Sequence, residues 1–482
     1  MRRVWLITSI LILLFTSGCG IIGKTTAEAA TLTGDVSTLG IEPDFSYART
    51  PQRPNIYLDS EGYVPGAKKV LFIEGGDIEK EYSIVHADTG SVEYVGTLTA
   101  TDIEGSENRL YIGDFSDYAE PGSYRVYQNN VGYSDEFRID SKTYRNIYSS
   151  TYYGLEKYTY ESNSDLIYSL ANMLLTHEIY AGAKVDEDYI REQIEYLVSQ
   201  QDVKTGGVYQ YATDSEAIAD LEIEAKAKGQ VFERSSLISL TTTAQYAGLL
   251  AQYCYSYYDK DPTYGAYLLG AANRAYLYMD KYRDNADVMS WYYAACQLLR
   301  ATGYSKYKVA IDNFDALTEL PKADPKHNYE ILADVAYLKT PFKTDYARCE
   351  RLMAKYVDTA EYISGSTSKA SYYVQSDIDT LTEDEVLNNM MALGLVSYVL
   401  SGQEYASIEY NYIHYLFGGN SDHLDHLVSA HTDDTAILSD YTKMSKLLFI
   451  LGCDSEVNSM MLQTVDDGID EAKNNVRDVT TD

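Results

Sequence analysis

The sequence has few cysteines, few tryptophans and few basic residues. Its 482 residues include 5 Cys, 2 Trp and 39 Lys plus Arg, against 72 Asp plus Glu, and the formal net charge is −33. Such an acidic chain repels phosphate backbones and anionic lipid surfaces, and no stretch dense in Lys and Arg reverses this locally. Nucleic-acid binding is therefore excluded as a function class.

The cysteines exclude two further classes of structure. Disulfide scaffolds are small and cysteine-dense, whereas the cysteines after residue 19 are far apart and lie in apolar, helix-like stretches. These are Cys254, Cys296, Cys349 and Cys453. They are predicted to be buried free thiols. No CxxC pair occurs, so a thiolate-rich zinc site is unsupported and the residues predict no metal.

Tyrosine is the residue that the sequence has in excess. The chain contains 49 Tyr within a mixture of 45% hydrophobic and 23% charged residues, which is typical of a folded globular protein. A phenol ring combines an apolar face with a polar edge, which suits half-wet surfaces and sugar-contacting clefts. The length predicts two to four domains.

The first 19 residues have the pattern of an export signal. Arg2 and Arg3 precede an apolar run over residues 4–15, which is too short for a membrane span of roughly 20 residues. Thr16-Ser17-Gly18-Cys19 resembles a bacterial lipoprotein box, which implies cleavage after residue 18 and a lipid on Cys19. Ordinary secretion is the alternative. We expect an exported protein that is lipid-anchored at the bacterial cell surface, because the acidic chain cannot attach electrostatically.

The hydrophobic periodicity divides the remaining chain into segments. After the predicted signal peptide, 1–18, residues 19–53 are rich in Thr, Ala, Gly and Ser and read as a tether. Residues 54–140 contain short alternating runs, such as Lys69–Ile73, separated by Gly and Pro turn signals. This spacing predicts a β-sandwich of about 90 residues.

Helical periodicity follows the predicted sandwich. Ile190, Ile194 and Leu197 illustrate the i, i+4, i+7 stripe that recurs through residues 144–469. We predict an all-α domain without strands, built from roughly ten to twelve helices. The last residues, 470–482, form a polar tail.

Several segments, in order along the chain, resemble one family. They are Asn55–Pro65, Tyr111–Tyr118, Pro121–Tyr124, Gly206–Tyr209, Phe232–Ser236, Thr241–Ala244, Trp291 with Ala294 and Ala295, Arg300–Gly303, Val386–Asn389 and Tyr415–Asn420. These segments are similar to scaffold motifs of the cellulases of glycoside hydrolase family nine that carry an amino-terminal immunoglobulin-like module. The resemblance implies a multidomain β plus α fold, with an Ig-like β-sandwich followed by an (α/α)6 barrel that has a cleft across one end.

The resemblance also indicates where catalytic carboxylates belong. Inverting hydrolysis needs a base and an acid roughly 6.5 to 9.5 Å apart. The Asp-Ala-Gly-Asp motif that supplies the family's base is absent, and Asp165 and Glu161 are the candidates in that region. Asp434 stands at the position of the family's acid. Helix capping is the alternative role for Asp165 and for Asp434.

Glycan subsites require aromatic platforms and polar groups. The candidates for substrate binding are Trp291, Tyr160 and Tyr209, with Tyr211 among other tyrosines near segments that resemble cleft walls. Three histidines lie within a dozen residues of one another: His423, His426 and His431. Three roles are open for them, as solvated loop residues, as sugar contacts or as metal ligands. No cofactor is predicted. Calcium is conceivable by family analogy alone, since no Asp/Asn-spaced loop identifies its ligands.

Two functions remain open at this point. One is a divergent β-glycanase, cellulase-like and inverting, that uses Asp434 as acid and Asp165 or Glu161 as base. The other is a catalytically degenerate lipoprotein that binds a β-glucan-like polysaccharide or serves a structural role in the envelope. Both predict a chain that is anchored to a membrane. The glycanase and the glycan-binding protein have a polysaccharide partner, whereas a structural protein has only inherited the fold.

Overall fold

The computed structural model describes the protein from residue 55 to residue 453, with gaps. The described ranges are 55–102, 107–180, 186–285, 287–317, 328–367, 371–375, 378, 381–400, 404–420 and 437–453. The strands and the helices both belong to one unit, Pro54–Asp482.

The first part of this unit is an antiparallel β-sandwich. Its strands are β1 (Ile56–Tyr57), β2 (Val70–Gly75), β3 (Glu81–His86), β4 (Val92–Asp102), β5 (Arg109–Asp114), β6 (Gly122–Gln128), β7 (Gly132–Tyr133) and β8 (Phe137–Ile139). The pairing order is β1-β2-β5-β4-β3-β6-β7, and β8 pairs with β6. The long strand β4 pairs with β3 through its first half and with β5 through its second half. It therefore passes from one layer to the other.

Strand β2 is apolar on both faces because each face is covered. Leu71 and Ile73 point into the sandwich core. Val70 and Phe72 point the other way and belong to a separate cluster, against which Tyr372 packs. The ring centroids of Phe72 and Tyr372 lie 5.0 Å apart. The period-2 alternation of a strand thus buries one set of residues in the sandwich and the other set under the helical domain.

Thirteen helices follow in the described ranges. They are α1 (Thr143–Lys157), α2 (Asn163–Ile179), α3 (Glu187–Ser199), α4 (Ser215–Ala227), α5 (Leu240–Tyr257), α6 (Pro262–Lys281), α7 (Val288–Thr302), α8 (Ser305–Leu317), α9 (Tyr329–Leu338), α10 (Tyr346–Thr367), α11 (Glu383–Leu400), α12 (Ala406–Leu416) and α13 (441–453). Six of them, α2, α5, α7, α9, α11 and α13, are buried almost throughout. They alternate with outer helices, most of which bury one stripe, and this is the (α/α)6 arrangement.

The first two turns of the six inner helices meet in a closed ring. The contacts that join them are Ser164 with Gln245, Gln245 with Ser290 (3.0 Å), the rings of Tyr293 and Tyr329 (5.1 Å), Asn328 with Asn388 (3.2 Å), Glu383 with Lys443, and Asp165 with Tyr441. All six inner helices therefore start at the same end of the barrel. We call this the amino end.

A buried charged group joins three inner helices at the opposite, carboxyl end. Arg300 of α7 donates to Glu178 of α2, with Nη1 2.8 Å from Oε2, and Tyr398 of α11 donates to the same carboxylate at 3.3 Å. The Arg300 side chain is 1% exposed. A buried ion pair of this kind stabilises the fold only when both charged partners are present.

The helical domain also contains a short β-ladder, which corrects the prediction of a domain without strands. β9 (Val208–Tyr209) pairs antiparallel with β10 (Ile238–Ser239). The ladder brackets α4, a helix that buries Ile218. Among the described residues, none of the helices combines the length and the apolar composition needed to cross a membrane.

The two parts of the unit are joined by hydrogen bonds. Both the backbone N–H and the hydroxyl of Ser60 donate to the carbonyl of Phe417, at 2.7 and 2.8 Å. Gly418 follows with φ +106°, and a Cβ there would lie 3.1 Å from the carbonyl oxygen of Leu58. The end of α12 thus approaches the sandwich as closely as a glycine allows.

Candidate functional site

The site lies at the amino end of the barrel, where the segments before α2 and α13 come together. The hydroxyl of Tyr441, in the first turn of α13, donates to Oδ1 of Asp165 in the first turn of α2. The base was predicted in the first of these segments, and Tyr441 directly follows residues 433–440, in which the acid was predicted. Asp165 and Tyr441 are 276 residues apart in the chain, and the fold makes them neighbours.

Asp165 occupies the third position of α2 in a capping box. Its backbone N–H donates to the Ser162 hydroxyl at 3.3 Å, and its Oδ2 accepts from the Ser162 backbone N–H at 3.2 Å. Both carboxylate oxygens therefore already accept a hydrogen bond. The two contacts with Ser162 are those of a helix-capping residue. To act as a base, the Asp165 carboxylate would also need water at its remaining lone pairs.

Three tyrosine rings surround the Asp165 carboxylate. The ring centroids of Tyr158 and Tyr160 lie 5.5 and 5.8 Å from that of Tyr441, and 5.1 Å from each other. Burial, together with the hydrogen bond to Asp165, raises the pKa of Tyr441 well above its usual range. Tyr441 therefore remains a neutral donor at every physiological pH.

An exposed aromatic side chain stands beside this cluster. The backbone carbonyl of Gln210 accepts from the Asn163 N–H at 2.9 Å, which fixes the strand end next to the start of α2. Tyr211 comes next and is 57% exposed. With Glu161, also exposed, these residues form an open edge that we call the rim, defined by Glu161, Gln210 and Tyr211.

Two predicted sugar platforms are buried, and this corrects their assignment. Trp291 is 2% exposed and Tyr209 is 3% exposed. The Trp291 ring packs under the Arg283 guanidinium at 3.9 Å, and the Tyr209 hydroxyl donates to Oδ1 of Asp202 at 3.3 Å. Neither ring offers a face to solvent, which stacking on a sugar requires. Both are core residues beneath the amino end.

The other predicted residues divide into two groups. Tyr160 is half-buried and its hydroxyl donates to the carbonyl of Leu155 at 2.8 Å, so its ring edge is already held by the protein. The remaining predicted side chains lie outside the described residues. These are Asp434, His423, His426, His431 and the lipidation candidate Cys19.

Sequence reasoning missed Tyr441 as the partner of Asp165. The signal was its position directly after Asp440, in the segment compared with the family's acid loop. Asp440 itself caps α13, because its Oδ1 accepts from the Thr442 N–H at 2.7 Å and from its hydroxyl at 2.6 Å. Both inner helices at the site thus use an aspartate side chain in their amino-terminal cap.

The arrangement offers hydrogen-bonding groups and aromatic rings to a ligand, and no described ion site. No group of three or more His, Cys, Asp and Glu that fits a metal occurs in the described ranges. The described site can contact ligands that are rich in hydroxyl groups.

Comparison with known proteins gives the class to which this architecture corresponds. Residues 51–133 match the cellulase N-terminal ig-like domain. Over 100 residues the chain is 29% identical to Endoglucanase D of Acetivibrio thermocellus, and the match covers 21% of this chain and 16% of that protein. The sequence likeness therefore spans about a sixth of the relative's length.

The similarity of fold extends much farther. A Bacteroides ovatus structure described as GH9 is similar over 84% of this chain and 99% of its own, with TM-score 0.65 and 15% identity. A metagenome-derived glycoside hydrolase family 9 endoglucanase is similar over 83% and 99%, with TM-score 0.66 and 16% identity. A single mutant of a thermostable endoglucanase from Alicyclobacillus acidocaldarius covers the same shares, with TM-score 0.64 and 15% identity.

These matches confirm the resemblance seen in the sequence and the predicted fold class. The chain combines an Ig-like domain of the cellulase type with a helical barrel of the glycoside hydrolase family 9 fold.

Proposed function

We propose that this protein is exported, is attached to the bacterial cell surface through lipid on Cys19, and binds a β-glucan-type polysaccharide at the amino end of its barrel. The observation that carries the binding proposal is the rim: an exposed Tyr211 beside exposed polar side chains, next to the tyrosine cluster around Asp165. Aromatic rings next to hydroxyl and carboxylate groups suit a neutral sugar chain. The similar structures named as endoglucanases support this class of ligand.

Hydrolysis is the second candidate function. It is favoured by the contact of Asp165, a candidate base, with Tyr441, which directly follows residues 433–440, the segment in which the acid was predicted. In an inverting mechanism one carboxylate activates water and the other protonates the leaving oxygen. Asp165 or Glu161 is the base in this proposal, and Asp434 is the acid.

Binding is tested by electrophoresis of the mature protein in native gels that contain barley β-glucan or carboxymethyl cellulose. We expect the polysaccharide to retard the wild type and Tyr211→Ala to lose most of that retardation. Tyr346→Ala is the matched control, because Tyr346 is 81% exposed and follows the carboxyl end of α9, on the far side of the barrel. Equal mobility of the wild type with and without either glucan would overturn the proposal.

Catalysis is tested separately by the release of reducing sugar from the same polysaccharides. If the chain hydrolyses them, Asp434→Asn abolishes release while the gel retardation remains. Retardation of the wild type without sugar release identifies a binding protein that has lost the chemistry. The two assays thus separate the two candidate functions.

Lipid attachment is tested in bacterial cells that express the full chain. We expect labelled palmitate to enter the wild type, and Cys19→Ser to leave the protein unlabelled and move it from the membrane fraction to the medium. Cys349→Ser is the control for the loss of a thiol. Labelling that persists in Cys19→Ser would contradict the anchor.

A further inference from the structure

One phenol hydroxyl at the amino end has no partner among the described residues. Tyr158 lies between α1 and α2 and is half-buried. Its ring packs against those of Tyr160 and Tyr441, with centroids 5.1 and 5.5 Å away. Its hydroxyl is accessible and makes no hydrogen bond within the described ranges. The ring is therefore held in place while the hydroxyl remains available to a ligand.

The other two hydroxyls of this tyrosine cluster are used by the fold. The Tyr160 hydroxyl donates to the carbonyl of Leu155 at 2.8 Å. The Tyr441 hydroxyl donates to the carboxylate of Asp165. Both hydroxyls thus hold the chain together at the start of α2, and that of Tyr158 has no such role.

A hydrogen-bond acceptor on the neighbouring helix is also unused. Asp440 caps α13 with Oδ1 alone, which accepts from the N–H and the hydroxyl of Thr442 at 2.7 and 2.6 Å. Its Oδ2 is accessible and accepts no hydrogen bond from the described residues. Since Asp440 directly precedes Tyr441, this oxygen lies on the side of α13 where the tyrosine cluster packs. It remains available to a donor from outside the protein.

Three carboxylates lie near the Tyr158 hydroxyl and keep it protonated. They belong to Asp440, Asp165 and Glu161. Burial raises the pKa of Tyr158, and these charges raise it further, so the hydroxyl is a donor throughout the physiological pH range. None of the three carboxylates forms an ion pair with a Lys or Arg of the described ranges. They repel an anionic ligand, so the place favours a neutral one.

A free donor beside a free acceptor matches the hydroxyl groups of a sugar. Each sugar hydroxyl both donates and accepts hydrogen bonds, so it can accept from Tyr158 and donate to Asp440. The two residues lie on either side of the contact between Tyr441 and Asp165, where α13 meets α2. Glu161, three residues after Tyr158, belongs to the rim, so the pair adjoins the rim.

We propose that Tyr158 and Asp440 bind one neutral sugar unit of the glycan, with the Tyr158 hydroxyl as donor and Oδ2 of Asp440 as acceptor. This inference rests on the function proposed for the rim and adds two specificity-determining residues to it. Stacking on Tyr211 holds a glycan chain by its apolar faces. The pair recognises a hydroxyl group, and it therefore fixes the position of the chain along the rim.

The experiment measures the retardation of the mature protein in native gels over a series of barley β-glucan concentrations, which gives a dissociation constant for each variant. Tyr158→Phe removes only the donor, and we expect it to weaken binding about two- to tenfold. Its thermal unfolding temperature should not fall, because the hydroxyl has no partner in the described fold. Asp440→Asn keeps an oxygen for the cap and replaces the free acceptor by a donor, so we expect a similar loss of binding.

Two controls match these variants. Tyr307→Phe makes the same chemical change at a hydroxyl that the fold uses, since it lies 3.0 Å from Oδ1 of Asn273. It should lower the thermal unfolding temperature and leave the dissociation constant unchanged. Asp261→Asn changes another capping aspartate, whose Oδ1 accepts from the Tyr264 N–H at 3.1 Å, and it should also bind like the wild type.

The outcomes separate this inference from the function on which it rests. If the wild type is retarded and either Tyr158→Phe or Asp440→Asn has the same dissociation constant, the pair does not bind the sugar unit and the inference is overturned, while the function proposed for the rim stands. If barley β-glucan does not retard the wild type, both are overturned. Weaker binding in both variants, with both controls unchanged, supports the pair.

Discussion

Nδ1 of His414 lies 2.8 Å from Oδ2 of Asp59, although 355 residues separate them in the chain. Nε2 of the same ring lies 2.8 Å from the carbonyl oxygen of Lys68, which can only accept. Nε2 must therefore carry a proton, and the contact between Nδ1 and Asp59 needs one more. This shared proton joins the sandwich to α12, in a place where both side chains are buried.

The pair predicts that stability depends on pH. Burial, opposed by the contacts with His414, raises the pKa of Asp59 from 3.8 to about 6. The folded state thus binds the proton more tightly than the unfolded state, so the stabilisation is complete below about pH 4 and is lost as the pH rises through about 6. The shift corresponds to about 3 kcal/mol. Denaturant unfolding at several pH values from 4 to 8 measures it.

Asp59→Asn is the informative variant for this dependence. The amide retains the shape of the carboxyl and donates to Nδ1 without titrating, so the fall in stability between pH 4 and pH 8 should be smaller than in the wild type. Asp102→Asn is the control, since the Asp102 side chain is 85% exposed. An unaltered pH profile in Asp59→Asn would contradict the assignment.

The capping box of α2 allows the two roles of Asp165 to be separated. Ser162→Ala removes the hydroxyl that accepts from the Asp165 N–H and should cost about 1 kcal/mol of unfolding free energy, without affecting glycan hydrolysis if any occurs. Asp165→Asn should cost a similar amount. If Asp165 is also the base, the Asn variant loses all sugar release while Ser162→Ala keeps it. Equal activity in both variants limits Asp165 to capping.

The buried charge at the carboxyl end predicts a large effect of one substitution. Arg300→Met leaves the Glu178 carboxylate, only 17% exposed, without its cation. Such a change costs about 3 to 5 kcal/mol, whereas a pair replaced on both sides is tolerated far better. Chemical denaturation should therefore show that the double variant Arg300→Met with Glu178→Gln has a higher unfolding free energy than Arg300→Met alone. Arg109→Met, at an exposed pair, should change stability far less.

The cysteines predict the outcome of thiol titration. Cys254, Cys296 and Cys453 are buried free thiols, and Cys349 is half-buried. Burial raises the pKa of Cys254 to about 12, and it raises that of Cys296 further. Since the thiolate is the reactive form, an aromatic disulfide reagent should modify Cys349 first in the native protein. All four should react in guanidinium. Rapid native labelling of Cys254 would show that α5 opens.

Much of the fold could be predicted from the sequence because it depends on local periodicity. The run Lys69–Ile73 indicated a strand, and it forms β2 from Val70. The stripe of Ile190, Ile194 and Leu197 indicated a helix, and these residues are the buried face of α3. The ladder of β9 and β10 was missed because each strand has two residues, too few for a period to show.

The site could be predicted less well, because burial depends on distant contacts. A sequence does not show whether an aromatic residue faces a cleft or the core, and Trp291 and Tyr209 face the core. The partner of Asp165 is equally non-local, since Tyr441 reaches it only through closure of the helix ring. Motifs that resemble a family indicated which segments to examine, but they did not give the orientation of the side chains.

The contact of Ser60 with Phe417 has a consequence for how the chain is made. Synthesis proceeds from the amino terminus, so the strands are complete while the residues that pack on them have not yet emerged. The outer face of β2 must therefore stay exposed until Tyr372 arrives, and Asp59 until α12 arrives. During that interval the sandwich exposes an apolar surface to solvent. This surface is covered only when residues that are synthesised later pack against it.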